Sequence, residues 1–124
     1  MEPGLAILNY QKALASCKGD SALALRLIQK FHAALPIEKH AFTAAEATRN
    51  WDALDRLLHR LQSGSSNLGL ERIDAAAQAV RIALRDGEPA SDLCSQLALV
   101  CDEFFMQFGC ENMTIQGCKQ ALEA

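Results

Sequence analysis

The 124-residue chain is half hydrophobic, has few aromatic residues and carries a formal net charge of −3 at pH 7. That length suits one domain over residues 1–124 with a modest core, and a composition rich in Ala and Leu favours helices packed on helices. The negative charge and the lack of a basic run argue against a nucleic-acid partner. No apolar run reaches the ~20 residues that span a bilayer, and nothing at the start resembles a signal peptide, so we expect a cytoplasmic protein without direct membrane contact.

The N-terminal part predicts a short helix followed by a long one. Residues 1–8 are expected to form an arm, and Asn9 can cap a helix over about 10–17. The next helix is expected over about 20–48, where Pro36 either stops or kinks it. Its predicted apolar stripe consists of Leu23, Leu27, Phe31 and Leu35.

The following helix carries a histidine on its polar face. Asn50 can cap this helix, and Asp52 in its first turn suits the positive end of the helix dipole. At about 100° per residue, His59 lies opposite the apolar stripe and is therefore expected in solvent. The predicted stripe consists of Leu54, Leu57, Leu61 and Leu68.

Two features of the sequence predict different ends for the histidine helix. Helix propensity would end it near Gln62, because the Ser, Gly and Asn residues that follow are weak helix formers. The helical wheel instead places Gly64 on the apolar side, where a missing side chain lets a neighbouring helix approach closely. Leu68 resumes the apolar stripe, and Gly69 suits the left-handed position after a helix. We therefore expect the helix to continue to about Leu68.

Two more helices are predicted, separated by Gly87 and Pro89 and ending near Phe108. Together with the two preceding long helices they predict an all-α, antiparallel up-down four-helix bundle with its core at about 20–108. Residues 110–124 form an extra segment that can supply a short C-terminal helix.

The cysteines and the other histidines offer a weaker alternative, a metal-binding helical bundle. Cys94 and Cys101 lie seven residues apart on one helix face, which suits a core. His32 and His40 lack HExxH or comparable ligand spacing, so no metal site is expected. In a reducing cytosol the five cysteines are most simply buried or partly buried thiols. They are Cys17, Cys94, Cys101, Cys110 and Cys118.

An exposed imidazole can act as a nucleophile toward a phosphoryl group. The sequence has no Walker loop, no GxGxxG and no carboxylate cluster arranged for Mg²⁺. ATP-dependent kinase activity is therefore not expected of this chain, and any phosphoryl group on the histidine would have to come from a partner. Arg56 and Arg60 could offset its charge, and Gln62 could donate a hydrogen bond to it.

The sequence around the histidine resembles the signature of histidine phosphotransfer (HPt) domains, in which Leu, Lys, Gly, small residues and a closing Gly follow a histidine. The residues that fit are His59, Leu61, Ser65 and Gly69. The upstream run over 7–36 is similar to the C-terminal HPt module of BarA/GacS-type hybrid sensor histidine kinases. The resemblance covers about 7–108 and departs at Gln62, where the family has Lys, and at Ser63, where it has Gly.

The resemblance implies that His59 accepts a phosphoryl group from a receiver-domain aspartate and passes it to another receiver. The receiver of a hybrid sensor kinase or of a response regulator would supply the Mg²⁺, so the chain needs no cofactor of its own. The chain could be the cytoplasmic C-terminal domain of a membrane-bound sensor kinase. The resemblance also favours a kinked continuation of the long helix at Pro36. The supporting or partner-facing residues are Arg56, Arg60, Gln62, Ser63 and Ser66.

The two departures from the signature keep a second function open. Because Gln62 and Ser63 replace the family's Lys and Gly, the chain could instead be an HPt-like scaffold that binds a receiver or kinase without accepting phosphate. A neutral donor stabilises phosphate less than a cation does, since charge-assisted hydrogen bonds are about twice as strong.

Overall fold

The computed structural model describes residues 5–108, and every regular element in that range is a helix. The all-α prediction is confirmed. No helix among the described residues is long and apolar enough to cross a membrane. The helices are α1 (Tyr10–Ser16), α2 (Ser21–Ala47), α3 (Trp51–Asn67), α4 (Glu71–Asp86) and α5 (Ser91–Gln107).

Three helices are capped by side-chain hydrogen bonds, and two of these caps, Asn9 and Asn50, confirm the sequence prediction. The Asn9 side chain accepts a hydrogen bond from the amide of Lys12 at 3.2 Å. In the same way Asp20 accepts from the third residue of α2 at 3.0 Å, and Asn50 accepts from Ala53 in α3 at 3.3 Å. Each cap satisfies one backbone donor that the first turn of a helix leaves without a partner.

The four long helices form a bundle in which each packs against two neighbours. Helix α2 packs against α3 and α5, and α4 packs against the same two helices. Because the turns that join consecutive helices are short, neighbouring helices run antiparallel. This is the predicted up-down arrangement, and the short α1 packs on α2 and α3.

Helix α2 continues through Pro36 as predicted, but its core face differs from the predicted stripe. Leu27 is 37% exposed, whereas Ala24 and Ile28 are fully buried. Residues four apart drift by about 40° per step around a helix, so the four-residue spacing predicted for the stripe could not stay on one face. The buried face follows Ala24, Ile28 and Leu35, which lie within about 40° of one another.

Helix α3 is also rotated slightly from the predicted position. Leu54, Leu61 and Leu68 are buried as expected, but Leu57 is only partly buried. Leu58, which was not part of the predicted stripe, has no exposure. The buried centre of α3 is therefore displaced by roughly 30° toward α4, a displacement that only the packing of the neighbouring helices determines.

The described part of the N-terminal arm is tied to the turn between α3 and α4. The amide of Asn9 donates to the carbonyl of Gly69 at 2.7 Å. The Glu71 carboxylate accepts hydrogen bonds from the Ala6 amide at 2.9 Å and from the Asn9 side chain at 3.1 Å. Gly69 has a φ of +73°, as predicted for the residue after the helix, and a Cβ there would lie 2.2 Å from the Asn9 carbonyl oxygen. This close approach requires glycine.

Three cysteines lie in the core, as predicted for structural thiols. Cys17, Cys94 and Cys101 are free and buried. Burial, helped by the Glu46 carboxylate, raises the pKa of the Cys94 thiol to about 11. Burial, helped by the neighbouring aspartate, raises the pKa of Cys101 to about 12. Cys110, Cys118 and the predicted C-terminal helix lie outside the described residues.

Candidate functional site around His59

His59 lies in the middle of α3 with its side chain exposed to solvent. The prediction of an exposed imidazole at mid-helix is confirmed. The helix extends to Asn67 with Leu68 as its C-cap, so the weak helix formers after Gln62 are helical. Tertiary packing explains this result, because Gly64 faces the Phe31 ring of α2, and a Cβ at Gly64 would lie 3.2 Å from that ring.

The side of His59 that faces α2 is basic. Arg56 and Arg60 are exposed, one turn before the histidine and one residue after it. A terminal nitrogen of Arg60 lies 3.6 Å from the Glu38 carboxylate of α2, and its side chain remains 68% exposed. Such an exposed pair is weak, so the Arg60 guanidinium can be redirected toward an anion at small cost.

The α3 surface that follows His59 carries short side chains that project little into solvent. The Ser63 hydroxyl donates to the His59 carbonyl at 3.0 Å, which directs it along the helix rather than outward. Ser65 is buried and donates to the Gln62 carbonyl at 3.2 Å, and Ser66 is partly buried. A partner could therefore approach the imidazole over short side chains.

The side of His59 that faces α4 contains a polar network that connects α3 to α4. The Gln62 side-chain amide donates to the Gln78 side-chain oxygen at 2.7 Å. Arg81 donates to the Gln62 side-chain oxygen at 3.0 Å and, through Nε, to the Asp55 carboxylate at 3.0 Å. The Gln62 amide, predicted as a donor that faces a partner or a phosphate, is thus already bonded to α4.

Sequence reasoning missed the two α4 residues of this network. Gln78 and Arg81 lie three apart and therefore on the same face of α4. A polar face on the helix after the histidine helix was the signal that could have pointed to them. Their partners Asp55 and Gln62 are also separated by two helical turns on one side of α3, but which helix would pack there depends on the fold.

The structure assigns the other two histidines different surroundings. His32 stacks on the Phe105 ring at 4.3 Å, and its Nε2 lies 2.9 Å from the Phe105 carbonyl oxygen. His40 is exposed on α2. Within residues 5–108 no group of three or more His, Cys, Asp or Glu side chains is arranged to hold a metal ion.

Comparison with known sequences identifies the family. The Hpt domain family model matches residues 22–108, which is well over half of the chain. The chain belongs to the Hpt domain family. Hpt domains carry out histidine phosphotransfer in phosphorelays, where they interact with receiver domains and kinases. A search of curated protein sequences gives no significant match.

A solved structure shows the same fold. The HPT domain of an Hpt sensor hybrid histidine kinase from Shewanella is 22% identical, and the alignment covers 96% of each chain with a TM-score of 0.69. The likeness extends over nearly the whole chain, so the Hpt fold here includes α1 as well as the four long helices.

Proposed function

We propose that this Hpt domain accepts a phosphoryl group on His59 from a receiver-domain aspartate and transfers it to a second receiver. The observation that carries the proposal is the position of His59, which is exposed at mid-helix and followed by short side chains. His32 is a poorer nucleophile because its ring is stacked and lies in hydrogen-bonding distance of a carbonyl.

In the proposed transfer the main contribution of this chain is a solvent-exposed imidazole that acts as the nucleophile. One ring nitrogen attacks the phosphorus, the N–P bond forms, and the P–O bond to the aspartate breaks. The bonding electron pair leaves with the aspartate carboxylate, and the other ring nitrogen keeps its proton. The receiver supplies Mg²⁺ and the acidic pocket, and Arg56 and Arg60 offset the charge of the transferred group. Exchange of a phosphoryl group with receiver domains supports a cytoplasmic location, with the domain either free or part of a sensor kinase.

The test compares His59→Gln with a matched control, His40→Gln. Both variants remove an exposed imidazole from a long helix. After incubation with a phosphorylated receiver, wild type and His40→Gln should carry acid-labile, base-stable label, and His59→Gln should carry none. Label on His59→Gln, or its loss in His40→Gln, would contradict the assignment of His59.

A phosphorylation-incompetent scaffold is the second candidate function. The observation that favours it is the Gln62 amide, which is neutral and already bonded to Gln78 and Arg81. Binding of a receiver without any label on wild type, measured by calorimetry and autoradiography on the same pair, would support the scaffold.

A further inference from the structure

The guanidinium of Arg81 bridges two residues of α3 that flank the proposed phosphoacceptor in the sequence. Asp55 precedes His59 by four residues and Gln62 follows it by three, so both lie within about 60° of it on the same side of α3. Arg81 bonds to both of these side chains at 3.0 Å. A single guanidinium that spans them must lie near the level of His59 along the helix.

We propose that Arg81 binds the phosphoryl group on His59, and that Asp55 holds its guanidinium in place until the phosphoryl group arrives. This role rests on the proposed function of His59. An arginine has five N–H donors in a planar fork that matches phosphate oxygens. The bonds to Asp55 and Gln62 involve Nε and Nη1, so the second terminal nitrogen is left for a phosphoryl oxygen.

Arg81 differs from the other arginines near the histidine in how firmly it is held. Its side chain is only 20% exposed, whereas that of Arg60 is 68% exposed. A cation that is already ordered and partly desolvated loses less conformational entropy when it binds an anion, and it is screened less by salt. Arg56 and Arg60 therefore raise the local positive potential from mobile, exposed positions. Arg81 instead offers hydrogen-bond donors in a fixed orientation.

The greater negative charge of a phosphoryl group explains why the ion pair between Arg81 and Asp55 weakens when His59 is phosphorylated. A phosphoryl group carries about −1.5 to −2 charges at pH 7, compared with −1 for a carboxylate. When His59 is phosphorylated, the guanidinium turns from Asp55 toward the greater negative charge. Gln62 keeps its bond to Arg81 in this arrangement and acts as the hinge. The neutral residue at position 62 is thus compatible with a working site, because the cation comes from α4.

The test titrates the phosphoryl group itself in the full chain. Wild type is phosphorylated with potassium phosphoramidate, and the phosphoryl pKa is followed by the ³¹P chemical shift. Arg81→Gln should raise this pKa by about 1, because a neighbouring cation favours the dianion. Asp55→Asn should lower it, because the freed Arg81 then interacts fully with the phosphoryl group. Arg85→Gln, the same charge change one turn along α4 at an exposed position, should leave it unchanged.

The size of the two shifts separates a phosphate-binding role from a merely structural one. Removing a charge near His59 shifts the phosphoryl pKa slightly through Coulomb interaction in any case. If the network only stabilises the bundle, the shifts in Arg81→Gln and Asp55→Asn should therefore be no larger than those of matched charge changes farther from the network. Equal pKa values in wild type and both variants would overturn the role of Arg81 while leaving His59 as the acceptor. If wild type takes up no phosphate from phosphoramidate or from a receiver, the proposed function fails, and the role of Arg81 fails with it. If Arg81→Gln does not fold, Asp55→Asn is compared with Asp52→Asn, which makes the same charge change at an exposed position on the same face of α3. A clearly larger fall of the phosphoryl pKa in Asp55→Asn supports the role of Arg81, and equal falls overturn it.

Discussion

Replacing Gly69 by alanine should destabilise the domain much more than the same change at another left-handed glycine. Gly69 and Gly87 have nearly the same backbone conformation, with φ of +73° and +71°. A Cβ at Gly87 meets nothing within 4 Å, whereas a Cβ at Gly69 would lie 2.2 Å from the Asn9 carbonyl oxygen. The two positions therefore share the conformational cost and differ only in the collision with the arm.

The size of the difference follows from the bonds that the arm would lose. An L-residue in the left-handed region costs about 1 kcal/mol, and this term applies to both variants. Relieving the collision requires the arm to move, which breaks the bond from Asn9 to Gly69 and the two bonds that Glu71 accepts. At about 0.5–1 kcal/mol for each of these partly exposed bonds, the extra loss is roughly 2 kcal/mol.

Urea unfolding monitored by far-UV circular dichroism measures both losses. Gly87→Ala should lower the free energy of unfolding by about 1 kcal/mol and Gly69→Ala by about 3 kcal/mol. Similar losses in the two variants would refute the conclusion that the docked arm contributes to stability.

Three further predictions concern the histidine, the α2–α3 contact and the buried thiols. His59→Gln should change the free energy of unfolding by less than about 0.5 kcal/mol, because the imidazole is exposed; a larger loss in urea unfolding would show that the ring has a structural role. Gly64→Leu should cost about 1–3 kcal/mol by thermal unfolding, because its side chain must displace Phe31. Gly64→Ala should be nearly neutral, since a gain of ~1 kcal/mol in helix propensity offsets a tight contact; a harmless Gly64→Leu would refute the close packing. The pKa values of Cys94 and Cys101 are raised from 9.0, so the stability that their protonated forms contribute is complete below pH 9 and is lost as the pH rises toward 11 and 12. Between pH 8 and pH 10 wild type should therefore lose about 2–3 kcal/mol more than a variant with both cysteines changed to alanine, and equal losses would contradict this.

The sequence was most informative where a local signal and the tertiary structure agree. Asn50 was predicted as an N-cap and Gly69 as the left-handed residue after the helix, and both set the observed bounds of α3. Propensity would have ended that helix near Gln62. The prediction that it continues was correct because it took account of the face on which Gly64 lies, which packs against α2.

The sequence was least informative about contacts between helices. Leu27 was placed in the core by its spacing, but only the observed packing shows which of two overlapping stripes α2 buries. Gln62 was interpreted from its distance to His59 along α3 alone. Its partners Gln78 and Arg81 lie on another helix, and no local pattern states that α4 packs on that side.

The length of α2 determines whether an N-terminal truncation of the domain exposes apolar side chains. At 1.5 Å per residue, the 27 residues of α2 extend about 40 Å and the 17 residues of α3 about 25 Å. Because Phe31 lies beside Gly64 near the C-terminal end of α3, the first turns of α2 project past the end of that helix. The α1 helix packs on this projecting part, where Ala24 and Ile28 have no exposure.

A fragment limited to residues 22–108 would keep the four long helices but would lose the N-terminal arm and α1, which pack at one end of the bundle. We expect the side chains of Ala24, Ile28 and Leu70, all buried in the intact domain, to become more exposed to water. Contiguous apolar surface of this kind promotes association between copies. We therefore expect such a fragment to self-associate and precipitate at concentrations at which the chain with its arm and α1 stays monodisperse.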